Sequence, residues 1–320
     1  MVMINFSYTL SPLLQEHIQK IEALRIQIAI SPLSPKTELR LRYEAMIGRI
    51  YWSLSISGSP LTRSDIENLL AKTFPLFSQN GKADKLSDEE RSAIRYKKAH
   101  DMIMHEWLVA PQPVRLKDIL ELAALIDTKK MTDQQVDLTL VLDYLHKSND
   151  HPIVQAAVIQ MQILCLRPFV DGNGRLARLL ALLYLYKNGY DFRGMLVMDE
   201  YWRKDLSSLD VIKETVLQSN SLNLWLEYFS QGMATQLEKS VQKIGSLAFS
   251  VERNAHWELT DRQRSLVNVL EFPHATITNK KVQKHFKVSQ ITASRELARL
   301  VTLGLIVPHG KGRSVYYTRV

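Results

Sequence analysis

Cysteine is almost missing from this chain: Cys165 is the single one in 320 residues. No intrachain disulfide can staple the fold, and a lone thiol in an apolar segment reads as a small buried core residue. Glycine and proline are also scarce, at 12 and 11, which excludes collagen-like and low-complexity architectures. No apolar run reaches the roughly 18 residues of a spanning helix. Ile153–Leu166 is interrupted by Gln155, Gln160 and Gln162, and Leu176–Tyr186 by Arg178. Met1–Leu10 lacks a basic segment followed by an apolar run and a cleavage site. The expectation is a cytoplasmic protein with no membrane partner.

What is present is ordinary for a globular chain: 46% apolar and 23% charged residues, with Leu, Ile, Ala, Lys and Glu abundant. That composition favours helix. The length allows two domains. Helical spacing covers Leu10–Arg25 and Pro35–Ser55, and a third helix capped by Thr62 or Ser64 runs towards Lys72. After a loop at Asn80-Gly81, Ser87-Asp88-Glu89-Glu90 opens a long helix with acids in its first turn, as the helix dipole favours. Further helices are expected at Leu116–Ile126, from an Asp133 cap to Lys147, from His151-Pro152 to before Pro168, and at Leu176–Lys187. Two more precede about Val251. Period-2 alternation is nearly absent from this part, so it reads as all-α.

The net charge of +8 is unevenly placed. Residues 257–320 hold 11 Lys/Arg against 4 Asp/Glu, whereas residues 1–256 hold 30 against 29. A polyanionic partner is expected for the tail alone.

The most informative stretch is Leu166-Arg167-Pro168-Phe169-Val170-Asp171-Gly172-Asn173-Gly174-Arg175-Leu176-Ala177-Arg178. Two glycines around an asparagine at a helix start expose backbone N–H groups to one anion, and the helix dipole adds to the attraction. Arg175 and Arg178, one turn apart on one face, supply guanidinium donors to phosphate. Asp171 is placed to hold a divalent cation. The residues alone give an anion site or, equally, a turn between two core helices.

This stretch resembles the Fic family signature, His-Pro-Phe-x-Asp/Glu-Gly-Asn-Gly-Arg-x-x-Arg, at every fixed position but the first. His151-Pro152, Ala156-Ala157, Asn188-Gly189-Tyr190 and Trp225-Leu226-Glu227-Tyr228-Phe229 extend the likeness over about Ile21–Ile244. The resemblance implies AMP transfer from ATP, with Mg²⁺, to a protein hydroxyl. It makes Phe169, Gly172, Asn173, Gly174, Arg175 and Arg178 nucleotide-binding and Asp171 the metal ligand.

The departures bear on activity. Arg167 stands where the family has its general-base His, and a guanidinium offers no lone pair to take a proton. The family's inhibitory helix bears Ser/Thr-x-x-x-Glu-Gly/Asn, whose Glu pairs with the second signature arginine. The matching positions here are Ser53, Ser57 and Gly58, with Ser57 in place of the Glu. Glu67-Asn68 is a competing register that puts Arg63 at the Ser/Thr position. Asp127–Thr132 is too short for the family's target-docking hairpin. Tyr201-Trp202 are out of register with the family's paired tyrosines.

In the tail, Thr260-Asp261 cap a helix through Leu270, and Thr278-Asn279 cap a second. A third runs from Ser289 to about Leu303. Ala293, Leu297, Leu300 and Gly304 share its inner face, while Thr292, Arg295 and Arg299 share the opposite one. Leu305-Ile306-Val307, a His309-Gly310-Lys311-Gly312 turn and Arg313-Ser314-Val315-Tyr316-Tyr317 then form a hairpin. This order resembles the winged-helix family. The resemblance sends Ser289, Gln290, Thr292 and Arg295 into the major groove of double-stranded DNA. Lys280, Lys281, Arg299, Lys311 and Arg313 complete the DNA-binding set, with Lys280, Lys281 and the wing residues Lys311 and Arg313 at phosphates or the minor groove. A protein-contact module with a solvated basic face remains the alternative.

The fold expected is mainly α: an all-α Fic-like domain plus a small α+β winged helix-turn-helix domain. The divisions are a helical region at 1–110, the Fic-like core at 111–250 and the basic domain at 257–320. The function expected is a DNA-binding regulator whose Fic-like domain, catalytically impaired, senses a nucleotide or mediates homodimerisation. The rival is an active protein adenylyltransferase in which another group replaces the missing base.

Overall fold

The computed structural model describes residues 6–73, 86–128, 131, 138–247, 258–270, 275–310 and 314–319. Helices dominate in chain order: α1 (Pro12–Ile30), α2 (Pro35–Ile56), α3 (Arg63–Thr73), α4 (Asp88–Glu106), α5 (Leu116–Leu125), α6 (Leu138–Lys147), α7 (Pro152–Leu166) and α8 (Asn173–Lys187). A one-turn 3-10 segment, Phe192–Gly194, leads to α9 (Met198–Lys204), α10 (Leu206–Ser219) and α11 (Asn223–Leu247). The tail adds α12 (Asp261–Val269), α13 (Asn279–Phe286), α14 (Gln290–Thr302), β1 (Ile306–His309) and β2 (Tyr316–Arg319).

The starts follow from capping chemistry. Ser11 and Ser34 cap α1 and α2, each followed by proline at the first helical position, where its missing N–H costs nothing. Ser87 and Glu90 close a capping box on α4, and Thr260 and Gln263 close one on α12. Each box satisfies two otherwise orphaned amides. Three α-helices rather than two separate α8 from Val251, because the short α9 breaks at Asp205, which also caps α10. Asn80-Gly81 and the Asp133 cap lie outside the described residues.

Residues from Leu14 to Leu237 bury into one hydrophobic core, so helices on both sides of position 110 share it. The two apolar helices α7 and α8 pack at its centre. Trp225 of α11 is fully buried against them and donates from Nε1 to Ala157 O at 2.7 Å. Among the described residues no helix is long and apolar enough to cross a membrane.

The tail encloses a second core of Leu266, Leu270, Ile277, Val282, Ala293, Leu297, Leu300 and Ile306. Its two strands pair antiparallel, Ile306 opposite Arg319 and His309 opposite Tyr316. Gly304, expected on the inner face of α14, is half-buried just past the helix end at φ 68°. The tail is seated on the helical body: Leu303 joins the large core, and Lys36 Nζ meets Glu258 Oε1 at 2.8 Å.

Candidate phosphate site

The chain leaves α7 through Arg167, held at φ 46°, ψ 58°. A non-glycine residue in this left-handed region is uncommon and sets the direction of the loop. The Arg167 side chain is exposed there. Asn173 then closes the loop on itself. Its Oδ1 accepts from the Phe169 N–H at 3.0 Å, and its Nδ2 donates to Phe169 O at 2.6 Å. Both residues were expected to touch nucleotide, and both side chains are committed elsewhere. The Phe169 ring is 4% exposed in the core, and the Asn173 amide is spent on the loop.

Gly172 begins α8 at φ 72°, and a Cβ there would lie 2.3 Å from Thr128 Cγ2. Only glycine fits both the backbone and the space. α8 carries no side-chain cap, so its first amides, at Asn173, Gly174 and Arg175, have no helical partner. Together with the positive end of the helix dipole they form an anion cradle. Arg175 lies over it, Nη2 being 3.5 Å from the position a Gly172 Cβ would take. Burial draws the Arg175 guanidinium below its ordinary value, and the Asp171 carboxylate opposes that shift.

Asp171 is exposed on the loop, and no cluster of three or more His, Cys, Asp or Glu among the described residues is arranged for a metal. Mg²⁺ keeps several waters and needs only one or two carboxylates when phosphate supplies further oxygens. Asp171 therefore fits a cation that arrives with a phosphate ligand.

Arg178, one turn further along α8, is 8% exposed, and its Nη1 lies 3.3 Å from where a Gly174 Cβ would stand. Its Nε donates to Ser53 Oγ at 3.0 Å, and its Nη2 reaches Ser53 O at 3.0 Å and Oγ at 2.8 Å. Nε also lies 2.7 Å from Asp199 Oδ1, on α9. Burial pushes the Asp199 carboxyl up, while Arg178, Arg49 and Ser53 pull it back. The sequence reading singled out Ser53 and missed Asp199. Ser57 ends α2 and turns to Ser53 O at 3.4 Å, and Gly58 follows at φ 82°. Glu67, in the competing register, pairs with Arg63. Of the Asp127–Thr132 segment, Asp127 pairs with Arg95 at 2.6 Å. Met131 forms an antiparallel bridge with Phe169, a strand-like pairing the sequence did not suggest.

Residues 92–185 match the model of the Fic/DOC family. These residues form a Fic domain. The chain is 26% identical to protein adenylyltransferase Fic of Drosophila persimilis over 201 residues, which are 55% of this chain and 38% of that protein. It is 28% identical to the protein of the same name from Drosophila melanogaster over 176 residues, 47% of this chain and 34% of that protein. The match thus spans little more than a third of these relatives. A Fic family protein from Desulfovibrio desulfuricans G20 shares the fold over 98% of this chain and 97% of its own, with TM-score 0.58 and 18% identity. Fic-1 of C. elegans does so over 74% of this chain and 73% of its own, with TM-score 0.57 and 21% identity.

Beyond the Fic domain, the residues expected on DNA divide. Ser289 caps α14, accepting from the Thr292 N–H at 3.2 Å. Ser289, Gln290 and Arg295 are exposed and Thr292 half-buried, and Lys280 and Lys281 are exposed on α13. Arg299, on the same side of α14 as Thr292 and Arg295, is half-buried, and burial lowers its basicity while the nearby Tyr43 of α2 opposes that shift. Lys311 and Arg313 lie outside the described residues.

Proposed function

We propose that this chain is a regulator whose Fic domain binds a phosphate-bearing nucleotide without transferring AMP, joined to a winged-helix unit that binds DNA. The observation that carries the reading is Arg167, exposed at the end of α7 on the loop that leads into α8, in place of a lone-pair base. A guanidinium there removes the means of activating a hydroxyl and leaves a fixed positive charge on the loop. The amides of the first α8 turn, Arg175 and Arg167 hold phosphate. Mg²⁺, held by Asp171 and arriving with ATP or another nucleotide, supplies charge neutralisation when bound.

The DNA half rests on the +7 excess of residues 257–320 and on the exposed α14 face with Ser289, Gln290 and Arg295. Backbone phosphates reward such charge by counterion release, and a bidentate arginine reads guanine. The protein works in the cytoplasm, and the Fic domain is a further candidate for homodimerisation. The rival reading, an active adenylyltransferase, draws on the names of the Drosophila relatives.

Calorimetry with AMP, ADP and ATP, with and without Mg²⁺, tests the nucleotide half. Heat from at least one of them, reduced by Arg175→Ala, is expected; no heat from any of them refutes it. Gel-shift titration of duplex DNA against salt tests the other half, and a steep loss of affinity with salt is expected. Binding no tighter at low salt than that of a neutral protein refutes it.

A further inference from the structure

We propose that the cavity between α2, α3, α9 and α11 is a second ligand site, taking a small organic anion that carries a flat ring. Its volume is about 450 Å³, within the roughly 300–1,000 Å³ of small-molecule sites. None of its lining residues belongs to the glycine loop or to α8, so the site stands apart from the phosphate cradle and from the nucleotide reading. Hydrogen bonds to the backbone pin one wall. Arg49 Nη1 donates to Gly194 O at 2.9 Å and to Leu196 O at 2.8 Å, and Ser240 Oγ donates to Met195 O at 3.2 Å. Residues 195–197 are thereby held between α2 and α11, and the cavity is formed before any ligand arrives.

The charges on the lining favour an anion. Among the described residues Glu200 is the one carboxylate there, and Lys204 and Lys239 both pair with it. Lys239 Nζ also meets the buried Gln236 amide at 3.1 Å. Arg63 and Lys243 bring two further cations to the lining. Arg63 is paired with Glu67, whereas Lys243 is exposed and has no ion pair among the described residues. An ammonium left without a counter-charge beside a cavity attracts an anion and orients it. The half-buried Trp52 indole forms part of the wall, and Leu41, Ala45 and Met195 add buried apolar surface. Lys204 Nζ lies 6.0 Å from the centre of the Trp52 ring, which adds to the positive field. A flat ring packs against the indole and the apolar surface, leaving its acid group to Lys243.

The test is calorimetry on the full chain with indole-3-carboxylate, its neutral counterpart indole-3-carboxamide, and inorganic phosphate. The carboxylate is expected to bind roughly tenfold or more tighter than the carboxamide, which lacks the charge, and than phosphate, which lacks the ring. Lys243→Glu should weaken the carboxylate by roughly tenfold or more. Lys243 is exposed, so its replacement leaves the core intact. Lys117→Glu makes the same charge change on the exposed side of α5, outside the cavity, and should leave the affinity unchanged. No heat from the carboxylate overturns the inference. So does equal binding of the carboxylate and either of the other two ligands, or a Lys243→Glu variant that binds no more weakly than Lys117→Glu. Each of these outcomes leaves the nucleotide titrations, and the reading they test, untouched.

Discussion

Replacing Gly172 by alanine should damage the Fic domain far more than the same change two residues later. Gly172 is held at φ 72° and faces Thr128 Cγ2 at 2.3 Å from its ideal Cβ. The left-handed backbone alone costs a Cβ-bearing residue about 1–2 kcal/mol. Thr128 must also swing away, and its Oγ1 then gives up the 2.7 Å hydrogen bond to Ala123 O, worth about 0.5–1.5 kcal/mol. The sum is about 1.5–3.5 kcal/mol, a large fraction of the roughly 5–15 kcal/mol of a typical domain. Gly174 has no positive φ, and its added Cβ would meet only Arg178 Nη1, the end of a flexible side chain, at 3.3 Å. Gly174→Ala should stay within about 1 kcal/mol of wild type, since alanine is the better helix former. Denaturant unfolding followed by circular dichroism measures both. In a Thr128→Ala background the clash is gone, so Gly172→Ala should then cost only the backbone part, about 1–2 kcal/mol. If Gly172→Ala and Gly174→Ala unfold at the same denaturant concentration, the loop geometry described here is wrong.

Acid should weaken the helical body through His100. The ring is buried, neither nitrogen has a hydrogen-bond partner, and burial holds its pKa well below 6.5. The unfolded chain gains a proton near pH 6.5 that the folded one refuses, so this stability is complete above pH 6.5 and drains away as pH falls towards the folded value. His100→Leu should flatten the pH dependence of unfolding below 6.5 by up to about 1.4 kcal/mol per pH unit; an unchanged slope would place the acid sensitivity elsewhere. On DNA, Arg295→Ala should cost about 1–3 kcal/mol on the preferred site, whereas Arg299→Ala should leave DNA affinity alone and loosen the tail from the body. Equal losses of DNA affinity in the two variants, measured by fluorescence anisotropy, would mean that Arg299 does face the groove.

The elements legible in the sequence are those fixed by local chemistry. The capping boxes at Ser87 and Thr260, the prolines opening α1, α2 and α7, and the glycine loop before α8 all declare themselves within a few residues. The partners of the loop do not. Arg178 meets Ser53 across 125 residues of sequence and Asp199 from a separate short helix, and neither contact has a periodic signature. Motif position alone also assigned Phe169 and Asn173 to the ligand, because a signature residue that shapes the loop looks the same in sequence as one that touches phosphate. The amphipathic spacing of α14 put Arg299 opposite the inner face correctly. What periodicity could not reveal was that Arg299, unlike Arg295 on the same side, is half-buried beside Tyr43 of α2.

With Arg167 in place of the base, the Fic domain is expected to keep a phosphate site and lose transfer. Incubation with labelled ATP and Mg²⁺, beside the Drosophila melanogaster adenylyltransferase at equal concentration, tests it most directly. Loss of the general base removes about 10²–10⁴ in rate, so this chain should carry no label, on itself or on added protein, while the relative is labelled. Label incorporated by the wild-type chain at a rate comparable to that of the relative would mean that another group replaces the missing base.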